Sequence, residues 1–591
     1  MFLDLIKKNE YLIIKYSVVW VPFFFGLWSL ILGQDRSSDL ANYHLYNGYA
    51  FLHGKTEVDF GVASIQTYFN PILDVFYYFL NTHLYPPLFG FLIGFIHGLN
   101  YTLVYKIGQV LVGAKLKKQA DRLIFLLSIA GVLTSNFLSV IGTSSGDNIS
   151  ALLILLSLLL VINKWGELQS PSNVRIFSLI LAGIFVGTAT TLKLTNASYA
   201  LSLCLSLIFI PIPYIKRLKL IFIYGFGALI GFLIFGGFWY FKIWNLFHNP
   251  FFPIFNNIFQ INPDGNSTIF HWGPNTIWEV LLWPFIITID TERMAGGKIH
   301  QIIWPVLYIL AITCIYKNRF KKNSSIKLNS LDIYVTSFIF IGFVVWMKAF
   351  CVQRYLIPLE LIAPCLIFIL CLNLFKNKEF FKIIIISNII LVLLGGYGNY
   401  GHTEWQNPPF KIDLPYIKDP SNSSVIIINN EVGWLVTLFP KELSFVRLDA
   451  FEKKYNKYAY NILNKKSGQK FYLFNGYYYW RNDNVKKWSN SLSSLGIMST
   501  KNSCKKLDLF IKYIKFKGQV NFLEEGKYSC EISIRDQDKK DFSIENNKII
   551  FEAEKNLNKY GFDLEKNSCA IIQGKFGNET RVFNWCKITS Q

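Results

Sequence analysis

What the 591 residues lack narrows the field first. No Walker motif occurs, and neither a dinucleotide fingerprint nor a Gly-x-Ser-x-Gly is expected, so the apolar part of the chain is read as lacking signs of ATP use, of a redox cofactor or of a hydrolase elbow. Histidine is scarce. None of the eight sits in a His-Glu-x-x-His or other metal spacing, so no histidine-based metal site is expected, although a carboxylate-bound divalent ion stays open. There is no internal repeat and no low-complexity tract. Acidic residues are outnumbered, 38 Asp and Glu against 59 Lys and Arg, for a formal net charge of +21. Such a balance suggests nucleic acid or a membrane, and where the charges fall decides which.

What is present is apolar. Hydrophobic residues make up 52% and aromatics 17%, with a mean hydropathy of +0.31. Soluble domains average about 45–50% apolar, so the excess is modest, but it is uneven. Residues 1–400 hold long apolar runs, and a crossing of the hydrocarbon core takes about 20 residues. Spans are expected near 14–33, 87–111, 123–141, 149–163, 176–192, 195–214, 220–243, 299–316, 331–349, 354–374 and 381–398. Nineteen Lys and Arg cluster at 7–8, 115–122, 164–175, 216–219, 317–327 and 376–382, against eight in the alternating segments from 34 to 360. The positive-inside rule then places the N-terminus in the cytoplasm and, after eleven spans, the C-terminal part outside. The positive charge is topogenic, and nucleic acid is set aside. The first span is long and ends in Leu32-Gly33-Gln34-Asp35 without a small-x-small site, so it is expected to stay as an anchor.

Residues 401–591 change character. Short strand-like runs appear at Val425–Ile428, Phe471–Phe474, Leu507–Phe516, Ser529–Ile534, Ile549–Ala553 and Arg581–Ile588. The expected fold class is therefore a polytopic α-helical membrane domain, 1–400, followed by a β-rich or α+β extracytoplasmic domain, 401–591. Cys204, Cys314, Cys351, Cys365 and Cys371 read as apolar fillers of the membrane part. Cys504, Cys530, Cys569 and Cys586 lie in the tail and allow three pairings. Sequential pairing, Cys504–Cys530 and Cys569–Cys586, closes two short loops and is expected, in the oxidising compartment that the charge count assigns to this domain.

Two segments outside the expected spans are long. Residues 34–86 read as a helix starting at Ser38/Asp39, then an aromatic-rich helix from Ile65 to Leu80 that suits the membrane interface. Residues 244–298 contain His248-Asn249-Pro250-Phe251-Phe252-Pro253, and a run from Trp278 to Ile289 too short to span comfortably, which is expected to be re-entrant or interfacial.

The candidate chemistry sits beside the apolar runs. Asp35 and Asp39 follow the first span, where a carboxylate can take the proton of an acceptor hydroxyl. The plainer reading of Asp39, and of Asp147 in Thr143-Ser144-Ser145-Gly146-Asp147-Asn148, is a helix N-cap. Lys193 stands between two apolar segments in the cation-poor zone, and Arg354 begins a span with Glu360 about a turn and a half deeper. Both cations suit a phosphate, with Lys348 able to share the role. The plainer alternatives are snorkelling for Lys193 and a helix-holding carboxylate pair for Arg354. Asp74, in Asn70-Pro71-Ile72-Leu73-Asp74, reads as structural. His44 and Asn70 complete the candidates. An enzyme on the outer face without nucleotide machinery needs a substrate already activated, and a lipid-phosphate-linked donor meets that need.

These residues resemble the GT-C superfamily of polytopic glycosyltransferases. In its protein-mannosyltransferase and aminoarabinose-transferase branches, an acidic pair near the first span is followed by Tyr, then Ala and Gly. Asp39-Leu40, Tyr43, Ala50 and Gly54 resemble that pattern. Leu40 replaces the second acid, which leaves Asp35 as a stand-in. Gln66-Thr67-Tyr68-Phe69-Asn70-Pro71, Asn249-Pro250-Phe251-Phe252-Pro253, Lys193-Leu194-Thr195 and Arg354-Tyr355-Leu356-Ile357-Pro358-Leu359-Glu360 resemble an uncharacterised bacterial branch. The resemblance covers residues 10–400. It implies an inverting, metal-independent transferase of the bacterial inner membrane, facing the periplasm. Its donor would be a polyprenyl-phosphate sugar, its acceptor a glycan, lipid or protein, and its catalytic acid Asp39. Two rivals make other demands. A transporter or flippase of a lipid-linked glycan predicts internal duplication, which is absent, and a non-catalytic scaffold predicts tolerance of Asp39→Asn and Lys193→Ala.

Overall fold

The computed structural model describes residues 10–116, 120–169, 173–252, 254–255, 259, 272–320, 328–375, 380–428, 432–451, 456–514, 516–524 and 528–591. Of the expected topogenic cations, Lys7, Lys8, Lys117, Lys118, Lys321, Lys322, Lys327, Lys376 and Lys378 lie outside those residues. The chain is a multi-pass helical membrane protein with a C-terminal sheet domain. It divides into two compact units, one of Met1–Glu57, Ala63–Phe410 and Glu431–Thr437, the other of Val58–Val62, Lys411–Asn430 and Leu438–Gln591.

In the first unit, four helical stretches among the described residues are long and apolar enough to cross a bilayer: Pro86–Gly113, Tyr214–Phe247, Ser330–Ala349 and Gln353–Leu374. Shorter apolar helices accompany them, including Ser17–Leu32, Asp147–Asn163 and Ile303–Lys317. Every residue from Ile357 to Asn373 is buried, so this segment forms the centre of the unit. Tyr214–Phe247 differs, for Phe222, Phe226 and Phe241 stand exposed along it. Exposed apolar side chains on so long a helix suit lipid contact. It packs on Asn173–Leu192 through glycine. A Cβ at Gly187 or Gly231 would collide with the backbone of Ala228 or Ile184, so the two helices approach as closely as small-residue membrane seams allow.

Three expectations on the membrane part change. The span placed at 123–141 ends as a helix at Val132. Thr134 is extended, and a short helix Ser135–Ser139 follows. The Thr-Ser-Asn sequence favours caps over helix interiors, and the break lets Asn136 donate to the carbonyl of Gln353 (3.0 Å) and to Glu360 (2.9 Å). The other two concern motif strings. Gly142-Thr143-Ser144-Ser145-Gly146 has the spacing G-x-S-x-G, but no strand leads into it; Ser135–Ser139 precedes it and Asp147–Asn163 follows. A nucleophile elbow needs a strand-to-helix turn. Gly396-Tyr397-Gly398-Asn399-Tyr400-Gly401 has the spacing G-x-G-x-x-G, but it runs from helix Phe380–Leu394 into the short strand His402–Thr403, not into a helix. A dinucleotide fingerprint opens a helix. That strand pairs antiparallel with Gln34–Asp35, tying the chain after the last helix to the exit of the first. The run expected to be re-entrant or interfacial is the 13-residue helix Ile277–Ile289, too short for a crossing.

The second unit holds a mixed seven-stranded sheet. Ser444–Arg447, Ser424–Ile427 and Lys470–Asn475 run parallel, and Glu579–Ser590 and Ala570–Phe576 continue antiparallel. Two expected strands are helices. Leu507–Phe516 falls largely in Lys501–Tyr513, where buried Cys504, Leu507 and Ile511 recur at helical spacing. Ile549–Ala553 lies inside Phe542–Asn558, whose start is fixed by Asp541 accepting from the amides of Ser543 and Ile544. Reading the apolar run alone missed that upstream cap. Disulfides join Cys504 to Cys530 and Cys569 to Cys586, as expected.

Candidate active site

All of the charged candidates except Lys348 belong to the first loop of the first unit or to the helix ends beside it. Ser37, not Asp39, starts the first loop helix, because its Oγ accepts from the Leu40 amide at 3.3 Å. Asp39 already has helical backbone angles (φ −64°, ψ −44°) and makes no capping bond, which overturns the N-cap reading. Its carboxylate instead meets Arg354, with Nη2 2.7 Å from Oδ2. Asp147 is the first residue of Asp147–Asn163. Gly146, at φ 76°, occupies the cap position, and again no side chain caps the helix. Asp147 faces two cations. Lys193 Nζ lies 2.5 Å from Oδ1 and Arg354 Nε lies 3.2 Å from Oδ2.

Arg354 therefore bridges two carboxylates that are 108 residues apart in sequence, and Lys193 holds the second of them. Lys193 occupies the extended break after Asn173–Leu192 and also donates to the Ser145 carbonyl at 3.2 Å. Tyr355 lies under both cations, its ring centroid 4.5 Å from the Lys193 ammonium and 5.8 Å from the Arg354 guanidinium, and Tyr400 flanks Arg354 at 5.7 Å. Sequence reasoning missed both tyrosines. Tyr355 adjoins Arg354, but nothing in the glycine-rich run signals Tyr400.

Two cations and two carboxylates make the cluster formally neutral, which is how charge survives at this depth. It is not sealed. The side chains of Asp39, Lys193 and Arg354 retain 13%, 14% and 17% exposure, enough for a ligand to reach them, whereas Asp147 keeps 5%. Burial pushes the Asp39 carboxyl up, but Arg354 foremost, with His44 and Lys193, outweighs it and holds the group below the usual carboxylate range. Among the described residues no group of three or more His, Cys, Asp or Glu is arranged to hold a metal ion.

A second polar group lies beside the first. His44 Nδ1 sits 2.5 Å from Asp74 Oδ1, and Asn47 donates to Asp74 Oδ2 at 3.1 Å. Asp74 is in the first turn of helix Ile72–His83, so the two helices of the loop are pinned together through buried polar atoms.

The remaining candidates fall elsewhere. Asp35 is buried, and both of its oxygens accept backbone amides, Ser37 at 2.8 Å and Ser144 at 2.7 Å. That arrangement anchors one loop to another. Asn70 donates to the Phe235 carbonyl (3.2 Å) and to Thr191 (3.3 Å), joining the loop to the glycine-packed helix pair. Lys348 is exposed in the last turn of Ser330–Ala349 and takes no part in the ion pairs of the cluster. Glu360 is buried below the cluster and held by Asn136.

No family model matches the chain, and no curated protein does. Solved structures resemble it at low identity. The apo oligosaccharyltransferase of Archaeoglobus fulgidus is 11% identical with a TM-score of 0.45, over 89% of this chain and 75% of that one. The same organism's oligosaccharyltransferase AglB, in complex with an inhibitory peptide and a dolichol-phosphate, gives 11% and 0.44 over the same shares. ArnT from Cupriavidus metallidurans bound to undecaprenyl phosphate is 12% identical with a TM-score of 0.41, over 65% of this chain and 63% of that one.

Proposed function

We propose that this protein is a membrane glycosyltransferase that moves a sugar from a polyprenyl-phosphate donor to an acceptor hydroxyl. The observation that carries the reading is Arg354 spanning Asp39 and Asp147 with Lys193 beside it, an incompletely buried, neutral set of four charges at the ends of apolar helices. A donor phosphate entering there exchanges carboxylate for phosphate on the guanidinium and ammonium, both good phosphate partners. Asp147 retains part of the pairing and keeps the cations in place. Asp39, released from Arg354, accepts the hydroxyl proton of the acceptor. The acceptor oxygen forms a bond to the anomeric carbon from the face opposite the phosphate, the carbon–phosphate oxygen bond breaks, and its electron pair leaves with polyprenyl phosphate. Lys193 and Arg354 stabilise the leaving charge. The displacement inverts the anomeric centre.

The acceptor is a glycan, lipid or protein of the cell envelope. The protein sits in the bacterial inner membrane with its N-terminus cytoplasmic, and its 401–591 domain is periplasmic; the two disulfides of that domain suit an oxidising compartment. The test is donor turnover. Purified protein is offered a panel of polyprenyl-phosphate sugars with membrane-glycan extract, and released polyprenyl phosphate is followed for wild type and Asp39→Asn. Release by wild type and not by the variant supports the reading. Equal release by both removes Asp39 from it. Movement of lipid-linked glycan across liposomes without release replaces it with transport.

A further inference from the structure

His44 enters none of those steps, yet its environment is that of a working imidazole. The residue is 4% exposed, Nδ1 is held 2.5 Å from Asp74 Oδ1, and Nε2 has no hydrogen-bond partner. A carboxylate on Nδ1 fixes the tautomer that leaves Nε2 as the acceptor nitrogen. An orphaned buried acceptor carries a cost that structures rarely keep without a purpose.

The backbone brings positions 39 and 44 toward one face. Five residues in an α-helix advance the side chain by about 500°, so positions 39 and 44 would point roughly 140° apart. Leu40–His44 is a π-helical turn instead, and bonding from i to i+5 brings residues five apart close to one face. His44, after Arg354, is among the groups that hold the Asp39 carboxyl low against the effect of burial.

The other groups facing His44 come from every element around it. On its own turn are Asp39 and Tyr43, whose ring is 4.0 Å away. From Ile72–His83 come Asp74 and Tyr77, the latter at 5.4 Å. The following helix, Leu45–Leu52, offers Tyr46 and Tyr49, and Gly433–Val436, packed on the π turn, carries no titratable side chain. Arg354 pairs with Asp39, and Lys193 acts on the same carboxyl.

We infer that His44, oriented by Asp74, is the proton acceptor behind Asp39: the acceptor's hydroxyl proton passes to the Asp39 carboxylate and on to His44 Nε2. The proposal rests on the transferase reading above. Transfer to imidazole restores the Asp39 carboxylate, which re-pairs with Arg354 once the lipid phosphate leaves. The products of the step are the new glycoside, polyprenyl phosphate and an imidazolium paired with Asp74. Proton balance needs no further reactant.

The experiment measures released polyprenyl phosphate against pH for wild type, Asp39→Asn, His44→Gln and Asp74→Asn full-length proteins, with kcat and donor KM separated. In wild type kcat falls on an acid limb, because a protonated imidazole accepts no further proton. His44→Gln loses that limb and about 10²-fold in kcat, with donor KM unchanged, because the phosphate ligands are intact. Asp74→Asn, nearly isosteric, lowers kcat with donor KM unchanged, since Nδ1 has lost the carboxylate that fixes its tautomer. This variant answers the question if His44→Gln does not fold. A His44→Gln profile that matches wild type while Asp39→Asn is inactive overturns the relay and leaves the transferase. A folded wild type that turns over no donor overturns both.

Discussion

Charge means different things in the two units of this chain. In the membrane unit the ion pairs of the cluster join residues far apart in sequence, 39 with 354 and 147 with 193 and 354, and their side chains are mostly or wholly buried. In the C-terminal unit several pairs join neighbours on one helix or turn, Asp508 with Lys512, Arg535 with Asp538 and Asp536 with Lys539, with at least one partner open to water. The first kind exists only once the fold has formed and is costly unless complete. The second forms wherever the helix or turn does, and solvent screens it.

Mutation sharpens that contrast. The largest effect is expected at Asp39. Replacement by Asn lowers kcat for donor release about 10³-fold, within the usual range for removing a general base, while detergent-solubilised protein stays folded. Next comes Lys193→Met, which leaves Asp147 short of one cation in a site where its side chain is 5% exposed. Breaking a buried pair costs about 3–5 kcal/mol, read as a lowered unfolding midpoint, and donor release falls with it. Removing the Cys569–Cys586 bridge by paired serine substitution costs about 2–4 kcal/mol in the second unit and leaves donor binding in place. Lys512→Ala, at an exposed i,i+4 pair, changes stability by no more than about 0.5 kcal/mol. A scan in which Lys512→Ala matches Lys193→Met would erase the distinction between the units.

Acid sharpens it further. The Asp39 carboxyl lies below its ordinary value of 3.8 in the folded protein, because Arg354, His44 and Lys193 favour the ionised form over the opposing effect of burial. Its contribution to stability is therefore complete above that ordinary value and is lost only as pH falls through the lower folded one. The stability difference between wild type and Asp39→Asn should stay constant from neutral pH down to the ordinary carboxylate range, then shrink. A difference that fades already at pH 6 would show that Asp39 is not held by these cations.

Much of the fold was legible because membrane spans and cysteine spacing are local signals. The two disulfides and the change of character after residue 400 follow from composition and position. The break at Thr134 was not legible, since an apolar run reads through three polar residues, and neither were helices Lys501–Tyr513 and Phe542–Asn558, whose short β-branched or aromatic stretches look like strands when their caps are ignored. At the site, Asp39, Asp147, Lys193 and Arg354 each stood out as an ionisable residue beside an apolar run, so all four could be named one by one. Their mutual distances could not, nor could the π turn that swings His44 round, the 30-residue reach from His44 to Asp74, or the capture of Asp35 by two amides. Those depend on how helices meet, and a sequence holds no local trace of that.

The glycine seam between Asn173–Leu192 and Tyr214–Phe247 has a bearing on chemistry that its residues never touch. Lys193 is the next residue after the first of these helices, and Asn70 is bonded to both of them. The width of the seam thus acts as a ruler for the ammonium. One methyl group at Gly187 would spread the pair, carry Lys193 away from Asp147 and detune the site from within the hydrocarbon layer, where a survey of polar residues would never look.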